Sequence, residues 1–543
     1  MAKKAGPPAP MRFTLRQRVK SDRRTFLKRL GYGAAGLGLV SSLPGCLSHR
    51  EAVHGVLPRC APEEQGVSSA GILGFLDAAA KSKNELHSFM MVRRGRVIAE
   101  GWWTPYRPAA NHMLYSLSKS FASTAVGFAA AEGRLKVDDP VVSFFPDELP
   151  AHVSENLAAL RVKHLLTMSA GHAADSTPRI VGKENWAQAF LALPIENPPG
   201  SVFLYNSGAT YMLSAIVQKV SGQKLIDYLG PRLFEPLEIH GMTWETCPRG
   251  INTGGWGLSV PTEALASFGQ FYLQNGAWRG RQLLPAAWVH EATSFKIQQP
   301  AGPGEDLEAL KRTDPWHQGY CYQFWRCPHN AYRGDGAFGQ FSIVMPDQDA
   351  VVAITSESSS MKDDMDMVWD HLLPAISDAA LPPDLAAQTQ LRRRLASLAL
   401  PVPASRPAPP LAGRISGKTF RIEPDTTGAR SVSFRFAPES CTFTLTDGDG
   451  QYAVQCGRGK WVDGPCSLPG TPPKLTVGSL RPCKVAAVAA WQDENTLQMI
   501  WRYYETPHHD TVTCHFQGDS VTVEFLNSIP QHKETRPVLR GQA

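Results

Sequence analysis

Ser116 and Lys119 stand three residues apart in Leu114-Tyr115-Ser116-Leu117-Ser118-Lys119-Ser120-Phe121. On a helix that spacing stacks hydroxyl and amine on one side, one above the other. A serine hydroxyl is a poor nucleophile until an adjacent base takes its proton. A lysine withdrawn from water loses part of its preference for the charged form and can act as that base. The chemistry on offer is attack by Ser116 on a carbonyl, giving an acyl-enzyme.

A helix must position the pair. Leu117, Phe121, Ala125 and Phe128 recur at three- and four-residue steps, which predicts a helix over 114–132 with one apolar face and Gly133 as its stop. Two other Ser-x-x-Lys pairs occur, Ser221/Lys224 where a helix ends and Ser359/Lys362 in a polar Ser-rich turn. Only Ser116 opens a long amphipathic helix. Upstream, a helix over 69–82 precedes two strand-like runs, 87–92 and 96–101, with Arg94-Gly95 as their turn.

The chain opens on an address. Ser21-Asp22-Arg23-Arg24-Thr25-Phe26-Leu27-Lys28 reads as a twin-arginine signal, and Leu43-Pro44-Gly45-Cys46 resembles a bacterial lipobox. The uncharged stretch between them is Gly-rich and shorter than the roughly 20 residues of a spanning helix. Residues 1–45 are therefore expected to direct export to the periplasm or cell envelope. Cys46 is expected to carry lipid that tethers the mature protein to a membrane. Residues 1–29 hold ten Lys/Arg and one acid, so the remainder of this +6 chain carries a net −3. A near-neutral mature protein gives no support to nucleic-acid binding. The ten cysteines form no Cys-x-x-Cys pair and no zinc-spaced cluster with histidine. No metal or cofactor is implied. Twin-arginine cargo folds before export, so disulfides are not required, although five cysteines near the C-terminus leave a late one open.

About 500 mature residues exceed what one core holds. A Pro-rich stretch around 400–410 marks a linker, taken as 386–412, between a mixed helix-and-strand domain over 46–385 and an all-β domain over 413–530, with a tail over 531–543.

Seven segments in order carry a resemblance to a known family. They are Pro62-Glu63-Glu64-Gln65-Gly66; Ser116-Leu117-Ser118-Lys119-Ser120-Phe121; Glu132-Gly133-Arg134-Leu135 before Asp138-Asp139-Pro140; His164-Leu165-Leu166-Thr167-Met168-Ser169-Ala170-Gly171-His172; Tyr205-Asn206-Ser207-Gly208-Ala209; Gly254-Gly255-Trp256-Gly257-Leu258; and Gly336-Ala337-Phe338-Gly339-Gln340 with Pro346 beyond. The chain resembles the class C β-lactamase and penicillin-binding-protein-like serine hydrolases, including family VIII esterases, whose nucleophile motif is Ser-x-x-Lys. The resemblance implies an α+β β-lactamase/transpeptidase-like fold, with an antiparallel sheet flanked by helices. It implies Ser116 as nucleophile, Lys119 as its partner and Tyr205 as general base, the phenol's pKa lowered by a nearby positive charge. Ser207 would bond within that cluster, and Tyr211 is a weaker candidate because it falls within helix.

The third family element departs from the pattern. Where β-lactamases carry Lys-Thr-Gly, this chain has Tyr332-Arg333-Gly334-Asp335-Gly336-Ala337-Phe338-Gly339-Gln340. Gly334 can match the motif's glycine, and the Asp335 amide would then join that of Ser116 as an oxyanion hole. A one-residue shift leaves Gly334 and Asp335 interchangeable, and a tight bulged hairpin is compatible with either. The usual anchor for a penicillin carboxylate is gone, with Arg333 as its only stand-in. His317-Gln318-Gly319 is set aside because 319–325 reads as the preceding core strand.

Beyond the linker, short strands at 431–436, 442–445, 452–455, 486–491, 497–504, 512–516 and 521–525 suggest a small antiparallel barrel or sandwich, similar to the lipocalin-like domains appended to some family members. His508-His509-Asp510 hints at a metal but reads as a solvated strand end. The expected activity is an exported serine hydrolase acting on esters first, with β-lactams, D-Ala peptides or small linear amides as alternatives. Two further readings stay open: a β-lactam or cell-wall sensor that acylates once, and a barrel that docks a carbohydrate or protein.

Overall fold

The computed structural model describes residues 56–404, 406–468, 483–529 and 537–543. The twin-arginine segment and Cys46 lie outside the described residues. The first half is α+β. Its six-stranded antiparallel sheet uses β1 (Glu85–Arg93), β2 (Arg96–Trp102), β3 (Trp325–Arg326), β4 (Tyr332–Gly336), β5 (Gln340–Met345) and β6 (Ala350–Glu357), in the spatial order β2-β1-β6-β5-β4-β3. Five helices matter to the site: α1 (Ser69–Lys81), α2 (Ser118–Ala131), α3 (Ser207–Ser221), α4 (Thr262–Leu273) and α5 (Leu385–Ala396).

β1 reads as a nearly continuous apolar run because both sheet faces are covered. Leu86, Phe89 and Met91 join the core beneath α1, while Met90 and Val92 join the core that holds α2 and α4. α1 and α5 pack together on the first side, and α4 lies across β1, β5 and β6 on the other.

A 3-10 turn over Tyr115–Leu117 leads into α2, and Gly133 follows at φ +69 as the stop. The expectation of a single apolar face is not met, since α2 is buried on every side from Ser118 to Ala129. Small residues allow this. A Cβ at Gly127 would stand 2.4 Å from Trp288 Nε1. Two of the buried hydroxyls are satisfied in place, Ser120 Oγ by the Gln323 carbonyl at 2.8 Å and Thr124 Oγ1 by Tyr272 at 2.7 Å.

Three other stretches differ from the sequence reading. Residues 319–324 are not a strand but an irregular turn, because Gln323 at φ +65 spends its amide on the Leu165 and Leu166 carbonyls and on Thr210. The stretch read as linker begins as α5, whose Leu391 is buried in the α1 core. Leu539–Gln542, placed in a tail, is a barrel strand too short and polar to announce itself.

The second half is a closed barrel of nine strands. The strands of this half are β7 (Thr419–Ile422), β8 (Ser431–Ala437), β9 (Ser440–Thr446), β10 (Gln451–Arg458), β11 (Val462–Cys466), β12 (Cys483–Trp491), β13 (Thr496–Arg502), β14 (His509–Gln517), β15 (Ser520–Asn527) and β16 (Leu539–Gln542), all but β11 in the barrel itself. The ring runs β10-β9-β8-β7-β16-β15-β14-β13-β12, closed by a parallel pairing of β10 with β12, while β11 pairs with β12 outside it. Phe420, Phe434, Phe443, Trp491, Trp501 and Phe516 fill the interior as a packed core.

Candidate active site

Tyr115 holds φ +49, a left-handed conformation that bulky residues avoid. It turns the chain so that Ser116 stands half-buried at the head of α2. One turn on, Lys119 Nζ lies 3.0 Å from Ser116 Oγ. The same amine reaches Ser207 Oγ at 2.9 Å and the Gly255 carbonyl at 2.6 Å. Ser207 is the first residue of α3, whose N-cap Asn206 turns its side chain the other way, accepting from Ala209 N at 3.3 Å and Ser176 Oγ at 2.7 Å. The alternation of extended backbone thus sends Tyr205 and Ser207 toward Lys119 and Asn206 away. Gly255 must approach α3 closely, since a Cβ there would stand 2.9 Å from the Ser207 carbonyl.

Burial pushes the Lys119 ammonium down to about 7, against the opposing pull of the Asp175 and Asp335 carboxylates. A neutral amine has two N–H groups and one lone pair. Two donors satisfy Gly255 and Ser207, and the lone pair is left for the Ser116 proton. Tyr205 behaves otherwise than expected. Burial, reinforced by Asp335, drives its phenol above the ordinary range, and the hydrogen bond with Ser116 does not offset this. That shift disfavours the phenolate expected of a general base, whereas burial favours the neutral, basic form of Lys119. Tyr205 stacks on Trp325 with ring centroids 5.6 Å apart, and Lys119 Nζ lies 4.9 Å from its ring centre.

Strand β4 presents alternate residues to two sides. Gly334 and Gly336 face α2: a Cβ at Gly334 would stand 2.7 Å from Ser120 Oγ, and one at Gly336 would stand 2.0 Å from the Leu114 carbonyl and 3.1 Å from Ser116 N. The backbone lying against the nucleophile is thus at Gly336-Ala337, two residues beyond the Gly334-Asp335 expected from alignment to Lys-Thr-Gly. Arg333 and Asp335 face the other side. The Arg333 side chain is fully buried, with Nε 3.0 Å from Asp335 Oδ2 and Nη1 on the Pro315 carbonyl and Cys327 Sγ. Trp316 Nε1 donates to the same Asp335 oxygen at 3.1 Å. The guanidinium is thus enclosed with its own carboxylate and closed off from solvent.

Tyr211 is remote from this centre, with its hydroxyl 3.4 Å from Cys247 Sγ. The Gly255 carbonyl went unassigned because a backbone acceptor leaves no mark in residue types, although its Gly-Gly-Trp-Gly setting hints at close approach. His508 and Asp510 are not at a solvated strand end, since both are buried. Glu85 and Glu357 face one another across β1 and β6, and with His509 they bring three possible ligand atoms within 4.8 Å. Arg502 lies 2.8 Å from Glu85, and His509 Nδ1 lies 2.8 Å from Glu357 Oε2, so protein groups already partner those carboxylates.

Residues 80–375 match the family model described as Beta-lactamase. Among curated relatives, the 6-aminohexanoate-dimer hydrolase of Paenarthrobacter ureafaciens is 24% identical over 284 residues, covering 49% of this chain and 71% of that protein. Penicillin-binding protein 4 of Amycolatopsis lactamdurans is 24% identical over 314 residues, covering 51% of this chain and 80% of its own. Of solved structures, an octameric penicillin-binding protein homologue from Pyrococcus abyssi aligns with TM-score 0.45 and 16% identity, over 87% of this chain and 99% of that one. Because the family match spans more than half of the 543 residues, this chain belongs to the beta-lactamase family and is a serine hydrolase of the β-lactamase, esterase or amidase type.

Proposed function

We propose that the protein is an exported, lipid-anchored esterase that works through an acyl-enzyme on Ser116. The observation that carries the catalytic part is the single amine of Lys119 held between Ser116, Ser207 and the Gly255 carbonyl. Neutral Lys119 takes the Ser116 proton as Oγ attacks the ester carbonyl. The developing oxyanion is held by backbone amides of Ser116 and the Gly336-Ala337 segment. The proton passes to the departing alcohol, with the protonated Tyr205 hydroxyl beside Ser116 as its relay. Water then attacks the acyl-enzyme, with Lys119 again as base, and releases the acid.

Esters are favoured over β-lactams by charge. The one cation expected to hold a penicillin carboxylate, Arg333, is enclosed with Asp335, and the carboxylates that act on Lys119 are Asp175 and Asp335. The wall beside the nucleophile is aromatic, with Tyr205, Tyr320, Trp325 and Phe203 packed together, which suits an apolar acyl or alcohol group. Export and anchoring rest on Arg23-Arg24 and on Cys46 after Leu43-Pro44-Gly45.

The test is intact-mass spectrometry of the mature chain and of Ser116→Ala, each mixed with p-nitrophenyl butyrate and with a reporter cephalosporin. Nitrophenol release by the wild type, with an acyl label on Ser116 and none in the variant, is expected. Cephalosporin turnover exceeding ester turnover would refute the substrate class, and turnover retained by Ser116→Ala would refute the mechanism. A stoichiometric adduct without turnover would mark a sensor instead.

A further inference from the structure

The residue before the nucleophile is tied to the other domain. The Tyr115 hydroxyl lies 2.6 Å from His508 Nε2, in the barrel connection between β13 and β14. His508 Nδ1 lies 2.9 Å from Glu357 Oε1 at the end of β6, and the second Glu357 oxygen lies 2.8 Å from His509 Nδ1. Burial works to raise the Glu357 carboxyl, but hydrogen bonds from the two imidazoles outweigh it and hold it down at about 2. A carboxylate only accepts, so His508 Nδ1 carries the proton. Nε2 is then the acceptor, and the Tyr115 hydroxyl donates to it.

His508 also meets the second strand of the site. Phe338, two residues past Gly336 and itself at φ +66, packs edge-on against His508 with ring centroids 4.6 Å apart and against Tyr115 at 5.3 Å. The barrel connection is a stiff platform. Tyr503 N donates to the His508 carbonyl at 3.1 Å, Thr506 N to the Tyr503 carbonyl at 2.7 Å, and His508 N to Thr506 Oγ1 at 3.1 Å. Two bonds clamp it to the hydrolase domain: Met113 N to the Glu505 carbonyl at 2.9 Å and the Tyr106 hydroxyl to the Thr506 carbonyl at 3.2 Å.

We propose that the barrel completes the catalytic unit: His508, oriented by Glu357, is a positioning residue that fixes Tyr115 and Phe338 and thereby sets the distance between the Ser116 turn and the Gly336-Ala337 strand. This rests on the acyl-transfer reading above. Its physical logic is that both backbone segments pass through left-handed residues, which relax unless their surroundings hold them. An oxyanion hole is useful only when its donors are already in place. The barrel is thus required for turnover even though none of its residues needs to touch the substrate.

The experiment uses the full mature chain with p-nitrophenyl butyrate and four variants: His508→Ala, His508→Asn, His508→Gln and Tyr115→Phe. A glutamine amide reaches the Nε2 position and keeps a partner for Tyr115. An asparagine amide reaches only the Nδ1 position and keeps Glu357 alone. Thermal midpoints are measured alongside kcat and KM, and Ser116 is titrated with a fluorophosphonate. The expected result is a kcat loss on the order of tenfold to a hundredfold in His508→Ala, His508→Asn and Tyr115→Phe. KM should change little, and His508→Gln should recover most of the rate at a midpoint no higher than that of His508→Asn. All four variants turning over within about twofold of an active wild type would overturn the proposal. So would rate losses that follow the thermal midpoints alone, with glutamine no better than asparagine. A wild-type chain that neither turns over nor labels at Ser116 would instead overturn the hydrolase reading, and the proposal with it.

Discussion

Replacing Lys119 by methionine should stabilise the fold while abolishing turnover. The Lys119 side chain is 1% exposed, so solvent does not screen the cost of its charge. A fall in its pKa from 10.5 to about 7 corresponds to about 5 kcal/mol of disfavour for the ammonium in the folded state. The sign follows from linkage. Between pH 7 and 10.5 the unfolded chain binds a proton that the folded chain does not, so stability rises with pH across that window and the full penalty applies below it. Methionine carries no such penalty at any pH. It does abandon the buried Gly255 carbonyl and Ser207 hydroxyl, at a cost of about 1–3 kcal/mol. The variant should therefore be the more stable by roughly 2–4 kcal/mol at pH 6. Its advantage should shrink by about 1.4 kcal/mol per pH unit above 7 and vanish near pH 9. Thermal melts of both proteins across pH 6–9 measure the gap, and wild-type ester turnover over the same range should rise about tenfold per pH unit up to pH 7 and then level. A gap that is flat with pH would refute the assignment of Lys119 as a neutral base.

Two further substitutions separate site from scaffold. Gly336→Ala would place a Cβ 2.0 Å from the Leu114 carbonyl, so kcat for p-nitrophenyl butyrate should fall by on the order of a hundredfold or more, whereas a side chain at exposed Gly133, strained by φ +69 but in open space, should cost stability without loss of rate. Arg333→Met leaves Asp335 buried with an unbalanced charge and should lower stability by about 3–5 kcal/mol, measured by thermal melt; a rise in KM at unchanged stability would restore Arg333 as a substrate anchor.

What could be read in the sequence is what depends on local periodicity. The α2 helix, its Gly133 stop and the Ser116/Lys119 stacking all follow from three- and four-residue spacing, and the barrel strands follow from their length and alternation. Register could not be read. The Tyr332–Gln340 stretch holds Gly334, Gly336 and Gly339, each able to sit at a close approach, and only the pairing of β4 with β5 and the contact with Leu114 choose Gly336. The protonation of Tyr205 could not be read for a related reason. The resemblance implies a general base whose pKa a nearby positive charge lowers, but whether charge or burial prevails depends on how Trp325 and Tyr320 enclose the ring.

Arg333 and His508 show the same limit from opposite sides. A cation beside a catalytic strand suggests an anion site, and a pair of histidines in a loop suggests solvent. In the fold the cation is enclosed with its own carboxylate, and the histidine lies under the nucleophile. Each residue's role was decided by what another part of the chain brought to it: Trp316 and Pro315 to Arg333, and Tyr115, Phe338 and Glu357 to His508. Glu357 is the hinge of that second assembly, since it closes β6 in the hydrolase sheet and receives His508 and His509 of the barrel. Such a junction carries no motif, because its parts lie about 150 residues apart in sequence, 357 against 508 and 509. It follows that a barrel whose own interior is filled by aromatic packing can still act in catalysis through the connection over 503–508.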